Sequence, residues 1–334
     1  MANPSAIYSD VSRFFHTMSY TCTICDNTSD YRSISVKEMQ LGMREEFQYV
    51  VCNNCHSIQI GEIPRDLGKY YPDKNYYSFS AVSIKNKLFS AYFDIVSKSS
   101  FYRHGLFYRL IDHYALYDYS LLSIGKLSPP KNARILDVGS GAGHLLYMLK
   151  KMGYTDLTGI DPFIKESIYP VDVRRINLEE LPENEMFDLI MFHHSFEHTS
   201  DPVNTLKTAK KHLKEGGTIL IRTPLVSYAF ERYAENWFQL DAPRHIHLQS
   251  LEGIKIMLDK AGLHQVDIYC DSRDEQFYVS ENYIHDISMN EAKKGPLQSL
   301  LNVLFSGRRA SYRKEAGRLN ETMKGDTVVY YSTK

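Results

Sequence analysis

Short apolar runs alternate with amphipathic stretches through the second half of the chain. Runs at 134–138, 157–160, 171–176, 188–192 and 218–221 have strand length and are bounded by glycine, proline or polar residues. Between and after them, apolar positions recur at helical spacing over 144–152, 201–213 and 251–261. Such alternation predicts an α/β fold, a mostly parallel sheet with helices on both faces. Two late runs, 266–270 and 327–332, add strands and put the last one at the C-terminus. Upstream the pattern differs. Residues 63–130 are rich in Tyr and Phe and then carry a helical period through Leu88, Tyr92, Ile95, Leu106, Leu110, Ile111 and Leu121, stopped by Pro129 and Pro130. Before them, short alternating stretches at 47–51 and 57–60 can pair as strands. Three units are expected: a small module over 15–62, a Tyr-rich helical connector or lid over 63–130, and the α/β domain over 131–334.

Composition narrows the classes. With 43% hydrophobic and 24% charged residues, the 334-residue chain is neither disordered, collagenous nor coiled-coil. Its 39 Lys and Arg against 40 Asp and Glu leave a net charge of −1, so no overall field draws it to nucleic acid or an anionic membrane. No apolar run approaches the roughly 18 residues of a membrane span, and the first residues lack the basic and apolar regions of a signal peptide. A cytoplasmic, reducing location is expected.

The small module is too short for a core of its own and needs a staple. Cys22 and Cys25 form one CxxC, Cys52 and Cys55 a second, with 26 residues between the pairs. Four thiolates so arranged satisfy tetrahedral zinc with no open position, a structural site; a redox pair or disulfide set is the alternative. His56 adjoins the last ligand without being needed. Cys270, alone in a strand run, reads as a core residue.

The segment ILDVGSGAGH, residues 135–144, leaves a strand and opens a helix. Glycines at 139, 141 and 143 permit positive backbone dihedrals and close approach of a ligand to the helix amides. Asp161, 22 residues after Gly139 at the end of the next strand, can accept hydrogen bonds from both hydroxyls of a ribose. Dinucleotide sites usually carry glycine where His144 stands. The GxGxG spacing with Asp137 ahead of it therefore favours a nucleoside cofactor without a pyrophosphate.

On these residues, on GIDPF (159–163), on FDLIMFHHSFEH (187–198) followed by Asp201-Pro202, and on LKEGG (213–217), the chain resembles the class I S-adenosylmethionine-dependent methyltransferases over about 131–334. The resemblance implies a seven-stranded Rossmann-like sheet with one antiparallel strand and helices on both faces. It also implies S-adenosylmethionine as cofactor, with Asp137, Gly139, Ser140, Gly141 and Gly143 at the methionine end and Asp161 on the ribose. Pro162 and Phe163 would flank adenine, with Asn177, Leu178 or Glu179 on the adenine edge and His193 near the donor.

Methyl transfer from a sulfonium is an in-line displacement, so the protein chiefly aligns donor and acceptor. A hydroxyl acceptor also needs a base, and neutral histidine suits that role. Candidates are His193, His194, His198, His245 and His247. The cluster His194-x-x-Glu197-His198 is similar to the ExxEH sequence of quinone-biosynthesis and small-RNA O-methyltransferases that use a divalent cation, but its first acid is a histidine, which suits magnesium poorly. Glu197 and His198 are read as a base, as a metal site, or as residues that orient the loop before a helix near Asp201. His245 and His247 follow the fifth strand, at the sheet edge where ligands bind; they meet the acceptor or belong to a polar loop anchored by Trp237.

A cysteine module ahead of such a domain, followed by YPDKNYYSF (71–79), also looks like sugar methyltransferases of deoxysugar and surface-polysaccharide pathways. In the deoxysugar C-methyltransferases a comparable segment closes over the cofactor, which makes Tyr76, Tyr77 and Ser78 lid candidates, with aromatic packing the alternative. Those enzymes carry a further C-terminal domain for which this chain has no room, so O-methylation of a sugar nucleotide or glycan precursor is expected. Other readings are a phenol or quinone-type small molecule, RNA, or a non-catalytic scaffold that binds the cofactor without turnover. Arg308, Arg309, Arg313, Lys314 and Arg318 would grip phosphates in the RNA reading; interspersed with Glu315 and Glu321, they otherwise form a solvated helix face.

Overall fold

The computed structural model describes residues 20–71, 87–102, 118–164, 170–292 and 306–334. Tyr76, Tyr77 and Ser78 lie outside them. Three strands open the described chain: β1 (Tyr31–Lys37), β2 (Glu46–Cys52) and β3 (Ile58–Ile60). Two helices follow, α1 (Lys87–Tyr102) and α2 (Tyr119–Leu127). Asp118 caps α2 by accepting from Leu121 N–H at 3.1 Å, and Gly125 lets α2 press on α1, since a Cβ there would sit 2.0 Å from the Phe101 carbonyl oxygen.

The α/β part begins with β4 (Arg134–Val138), α3 (His144–Lys151), β5 (Asp156–Ile160), β6 (Asp172–Arg174) and β7 (Phe187–His193). Next come α4 (Pro202–Lys211), β8 (Leu213–Pro224), α5 (Tyr228–Tyr233), β9 (His247–Leu248) and α6 (Leu251–Ala261). The chain closes with β10 (His264–Cys270), α7 (Glu275–Ile284), α8 (Ser306–Glu321) and β11 (Thr327–Thr333).

Seven strands form one sheet in the order β10-β11-β8-β7-β4-β5-β6. β4 to β8 pair in parallel, while β11 is inserted antiparallel between β10 and β8. Because the central strands are covered on both faces, Ile135, Leu136, Ile190, Phe192, Ile219 and Ile221 are all fully buried. The expected seven-stranded sheet is present, with β6 shorter and β8 longer than their apolar runs.

The module differs from the expectation of a separate unit. Its strands make an antiparallel sheet β1-β2-β3-β9 whose fourth strand comes from residue 247 onward. Gln59 faces His247 and Ile58 faces Leu248, Ile60 N–H donates to Ile246 C=O at 2.8 Å, and Tyr49 Oη donates to His245 C=O at 2.8 Å. Ser250 donates to the Cys55 carbonyl and caps α6 by accepting from Gly253 N–H at 2.8 Å. The unit needs a neighbour because three short strands cannot bury a core alone.

Candidate functional site

The loop from β4 to α3 turns on Gly139, Gly141 and Gly143, all at positive φ. A Cβ on Gly139 would lie 2.4 Å from that of Ser195, so only glycine lets this loop meet the turn after β7. Asp161, 7% exposed at the end of β5, organises the loop: Oδ2 accepts from Gly141 N–H at 3.0 Å and Oδ1 from Phe163 N–H at 2.9 Å. Burial lifts its pKa, opposed by these amide donors. Asp137 is buried behind Val138 and Gly139, and burial, then the nearby Asp161 charge, push its pKa up to about 8.

A cavity of about 430 Å³ opens here, lined among others by Gly139, Asp161, Pro162, Phe163, Asn177 and Leu178. With Glu179, also in the lining, seven of the expected nucleoside contacts meet at one cavity. Ser140, Gly141 and Gly143 shape the loop without lining it, and His193 lines neither this cavity nor its neighbour. Tyr71 is the residue the sequence did not single out: its ring stacks on Phe163 at 5.4 Å with 9° between planes, and its hydroxyl lies 3.2 Å from His198 Nδ1.

A second cavity, about 310 Å³, adjoins the first, and His194 and His198 line both. Glu197, fully buried, anchors the wall. Its Oε1 accepts from His194 Nδ1 at 3.2 Å and its Oε2 from Thr223 Oγ1 at 3.0 Å, while Arg222 donates to His194 Nε2. Burial alone would raise the Glu197 pKa, but the His194 hydrogen bond and the fields of His194, His245 and His198 outweigh it and hold the carboxyl well below its ordinary range. His198 donates from Nδ1 to Arg244 C=O at 2.8 Å, which leaves Nε2 as the basic nitrogen. His245 likewise donates from Nδ1 to Gln239 C=O at 2.7 Å, so its Nε2 lone pair faces Glu197 Oε1 at 3.8 Å and Asp241 Oδ2 at 3.5 Å. Burial drags the pKa of His245, and of His247, down to about 4. His247 meets Thr199 Oγ1 at 3.2 Å and serves the loop. Asp201, not Glu197, caps α4, accepting from Asn204 N–H at 2.9 Å.

The second cavity is acidic. Glu197, Asp241, Asp271, Glu275 and Asp326 line it against two guanidinium groups, Arg222 and Arg273. Asp271 and Arg222 are paired at 2.7 Å, both buried. Gln40 from the cysteine module completes the lining, so both sheets build this wall.

Two groups among the described residues could hold a metal ion. Glu197, His198 and His245 offer ligand atoms within 4.8 Å of one another, but His194 is not among them because its Nε2 is taken by Arg222. Cys22, Cys25, Cys52 and Cys55 form the other group. Their sulfurs approach to 3.6 Å (Cys22 to Cys55) and 3.5 Å (Cys25 to Cys52), near the edge of about 3.8 Å in a tetrahedron with metal–sulfur bonds of about 2.3 Å. Cys270 is buried, as expected. On α8, Arg309 and Arg313 share Asp274 at 2.9 and 3.6 Å and Arg308 meets Glu281 at 3.4 Å, so three of the five basic residues already have carboxylate partners. No helix among the described residues is long and apolar enough to cross a membrane.

A methyltransferase-domain family model matches residues 102–268. The tRNA U34 carboxymethyltransferase of Shewanella amazonensis is 27% identical over 166 residues, 43% of this chain and 47% of that protein. Its counterpart from Vibrio cholerae is 27% identical over 162 residues, 42% of this chain and 48% of that one. The chain spans about half or less of the length of these curated relatives. Among solved structures, coclaurine N-methyltransferase bound to N-methylheliamine and SAH aligns with TM-score 0.43 and 14% identity, covering 64% of this chain and 69% of its own. A mycolic acid cyclopropane synthase aligns with TM-score 0.44 and 17% identity, covering 64% and 82%.

Proposed function

The chain belongs to the methyltransferase-domain family and is an S-adenosylmethionine-dependent methyltransferase; from that premise we propose that it methylates a hydroxyl of a sugar-type small molecule, with His198 as general base. One observation carries the reading: His198 borders both cavities, with its Nδ1 proton committed to Arg244 C=O and its Nε2 free to take a proton. Bound in the larger cavity, S-adenosylmethionine supplies an activated methyl group. Asp161 holds its ribose, the amides after Gly139 its methionine end, and Phe163 with Tyr71 closes over the adenine. The acceptor occupies the smaller cavity. Burial takes the His245 pKa down to about 4, so its part is to position the acceptor beside Glu197. The four clustered cysteines hold a structural zinc, and the protein works in a reducing cytoplasm, where cysteines outside disulfides persist.

A hydroxyl-rich acceptor suits a polar cavity walled by carboxylates, and surface-polysaccharide precursors are the class we propose. A second reading, RNA, is favoured by the names of the curated relatives. Incubation with labelled donor and a panel of nucleotide sugars, lipid-linked glycans, phenols and bulk tRNA separates the two; label on tRNA alone overturns the sugar reading. His198→Gln is expected to lower kcat about 10²- to 10⁴-fold while leaving donor affinity unchanged. Unchanged kcat would remove His198 from the mechanism.

A further inference from the structure

Tyr71 Oη lies 3.2 Å from His198 Nδ1, the same nitrogen that donates to Arg244 C=O at 2.8 Å. A carbonyl can only accept, so Nδ1 carries the proton and the Tyr71 oxygen is its second acceptor, in a three-centre hydrogen bond. Two oxygens from distant parts of the chain thus bracket one side of the imidazole. They fix its tautomer and the plane of the ring and leave Nε2 on the opposite side. The Tyr71 and His198 rings also meet edge to face, at 6.1 Å and 69°.

The tyrosine is held in that position. Its peptide N–H donates to Gly68 C=O at 3.0 Å, closing the 3₁₀ turn Leu67–Tyr70. The Tyr70 hydroxyl and the Lys69 ammonium group both donate to Glu45 Oε2, at 2.5 and 2.8 Å, just ahead of β2. Arg244, 1% exposed, donates from Nη1 to Tyr70 C=O at 3.5 Å, so the residue whose carbonyl receives the His198 proton also grips the peptide that leads into Tyr71. The turn is therefore tied both to the start of β2 and to the loop before β9.

On its other flank the same side chain lines the larger cavity, and its ring lies parallel to that of Phe163 at 5.4 Å. A phenol ring and its oxygen move as one rigid body. A nucleoside that shifts the Phe163–Tyr71 stack must therefore carry the hydroxyl with it, and His198 feels the change through Nδ1.

We propose that Tyr71 is a positioning residue: its hydroxyl sets the tautomer and orientation of the His198 imidazole, and its ring links that setting to the presence of donor in the larger cavity. The proposal rests on the reading of His198 as the base. Its consequence is an order of events, in which the base is aligned on the acceptor only once the donor is in place.

The test compares the full chain with Tyr71→Phe, which keeps the ring and removes the oxygen, and Tyr71→Leu, which removes both. Calorimetry gives the affinity for S-adenosylhomocysteine. Nitrogen-15 NMR reads the two His198 nitrogens, assigned by their loss in His198→Gln, with and without that ligand. Tyr71→Phe is expected to keep the affinity within about twofold of the parent while moving the Nδ1 signal, and the ligand should move that signal further in the parent than in the variant. Tyr71→Leu is expected to weaken the affinity about two- to tenfold, the scale of one aromatic pair. On the panel member that takes methyl label, Tyr71→Phe should lower kcat about two- to tenfold, the scale of one neutral hydrogen bond, at unchanged KM for the donor. His198 signals identical in the parent and Tyr71→Phe overturn the proposal. So does a loss of affinity in Tyr71→Phe equal to that in Tyr71→Leu, which would assign the hydroxyl to the donor site alone. Signals that differ as expected, together with a His198→Gln variant of unchanged kcat, overturn instead the base assignment beneath the proposal and leave only a contact between two rings.

Discussion

Asp161→Asn tests the contact on which donor binding is proposed to turn. In the free protein the carboxylate already spans two backbone donors, Gly141 N–H at 3.0 Å and Phe163 N–H at 2.9 Å, and so fixes the glycine loop before any ligand arrives. An amide of the same shape has one acceptor oxygen. Whichever way it turns, its NH₂ confronts a backbone N–H, and one hydrogen bond becomes a donor–donor clash worth about 1–3 kcal/mol. The bond to the ribose hydroxyl loses its charge assistance as well, a further loss of about 1–2 kcal/mol. Together these, about 2–5 kcal/mol, predict an affinity for S-adenosylmethionine and S-adenosylhomocysteine weakened by roughly 30-fold to several thousand-fold. Calorimetry with both ligands measures it, and the far-UV spectrum and melting temperature establish that the variant is folded. A folded variant whose Kd lies within about threefold of the parent would refute the assignment.

Two further outcomes follow. Asp137, raised to about 8, is mostly protonated at pH 7 in the free protein; a cationic donor nearby favours its ionised form. Binding of S-adenosylmethionine should therefore release close to one proton at pH 7 and weaken progressively as pH falls below about 8, visible as a buffer-dependent calorimetric enthalpy; no proton release would place Asp137 away from the donor's charge. Removing the zinc proposed for the cysteine cluster should abolish methyl transfer while changing donor affinity by less than about tenfold, because the loss falls on β3, β9 and the His245 loop rather than on the glycine loop. Full activity in metal-free protein, verified by elemental analysis, would contradict the structural role.

The parallel strands were legible because burial on both faces leaves continuous apolar runs such as 134–138 and 188–192. The glycine loop and Asp161 were legible because a ribose and a close backbone approach demand those residue types at that spacing. Helix α7 was not: Gln276 and Ser280 occupy fully buried positions beside Phe277 and Val279 and break the apolar period. Strand β1 carries only Ile34 and Val36 as aliphatic markers. The pairing of β3 with β9 joins residues almost two hundred positions apart, and no local pattern encodes a two-residue strand. Tyr71 stood in a segment rich in tyrosine, so nothing local marked it as the ring that meets Phe163 and His198.

The ladder between β3 and β9 also bears on how such a protein can be cut or recombined. A truncated version starting at residue 131 would keep the glycine loop, Asp161 and Phe163 but lose Tyr71, and would leave the backbone of Ile246 to Leu248 as a raw edge beside the pocket. Such a fragment should behave as a nucleoside binder with no competent partner site. Swapping in a foreign cysteine unit would succeed only if its third strand matched that edge, so the two segments are expected to pass between descendants as one inherited piece.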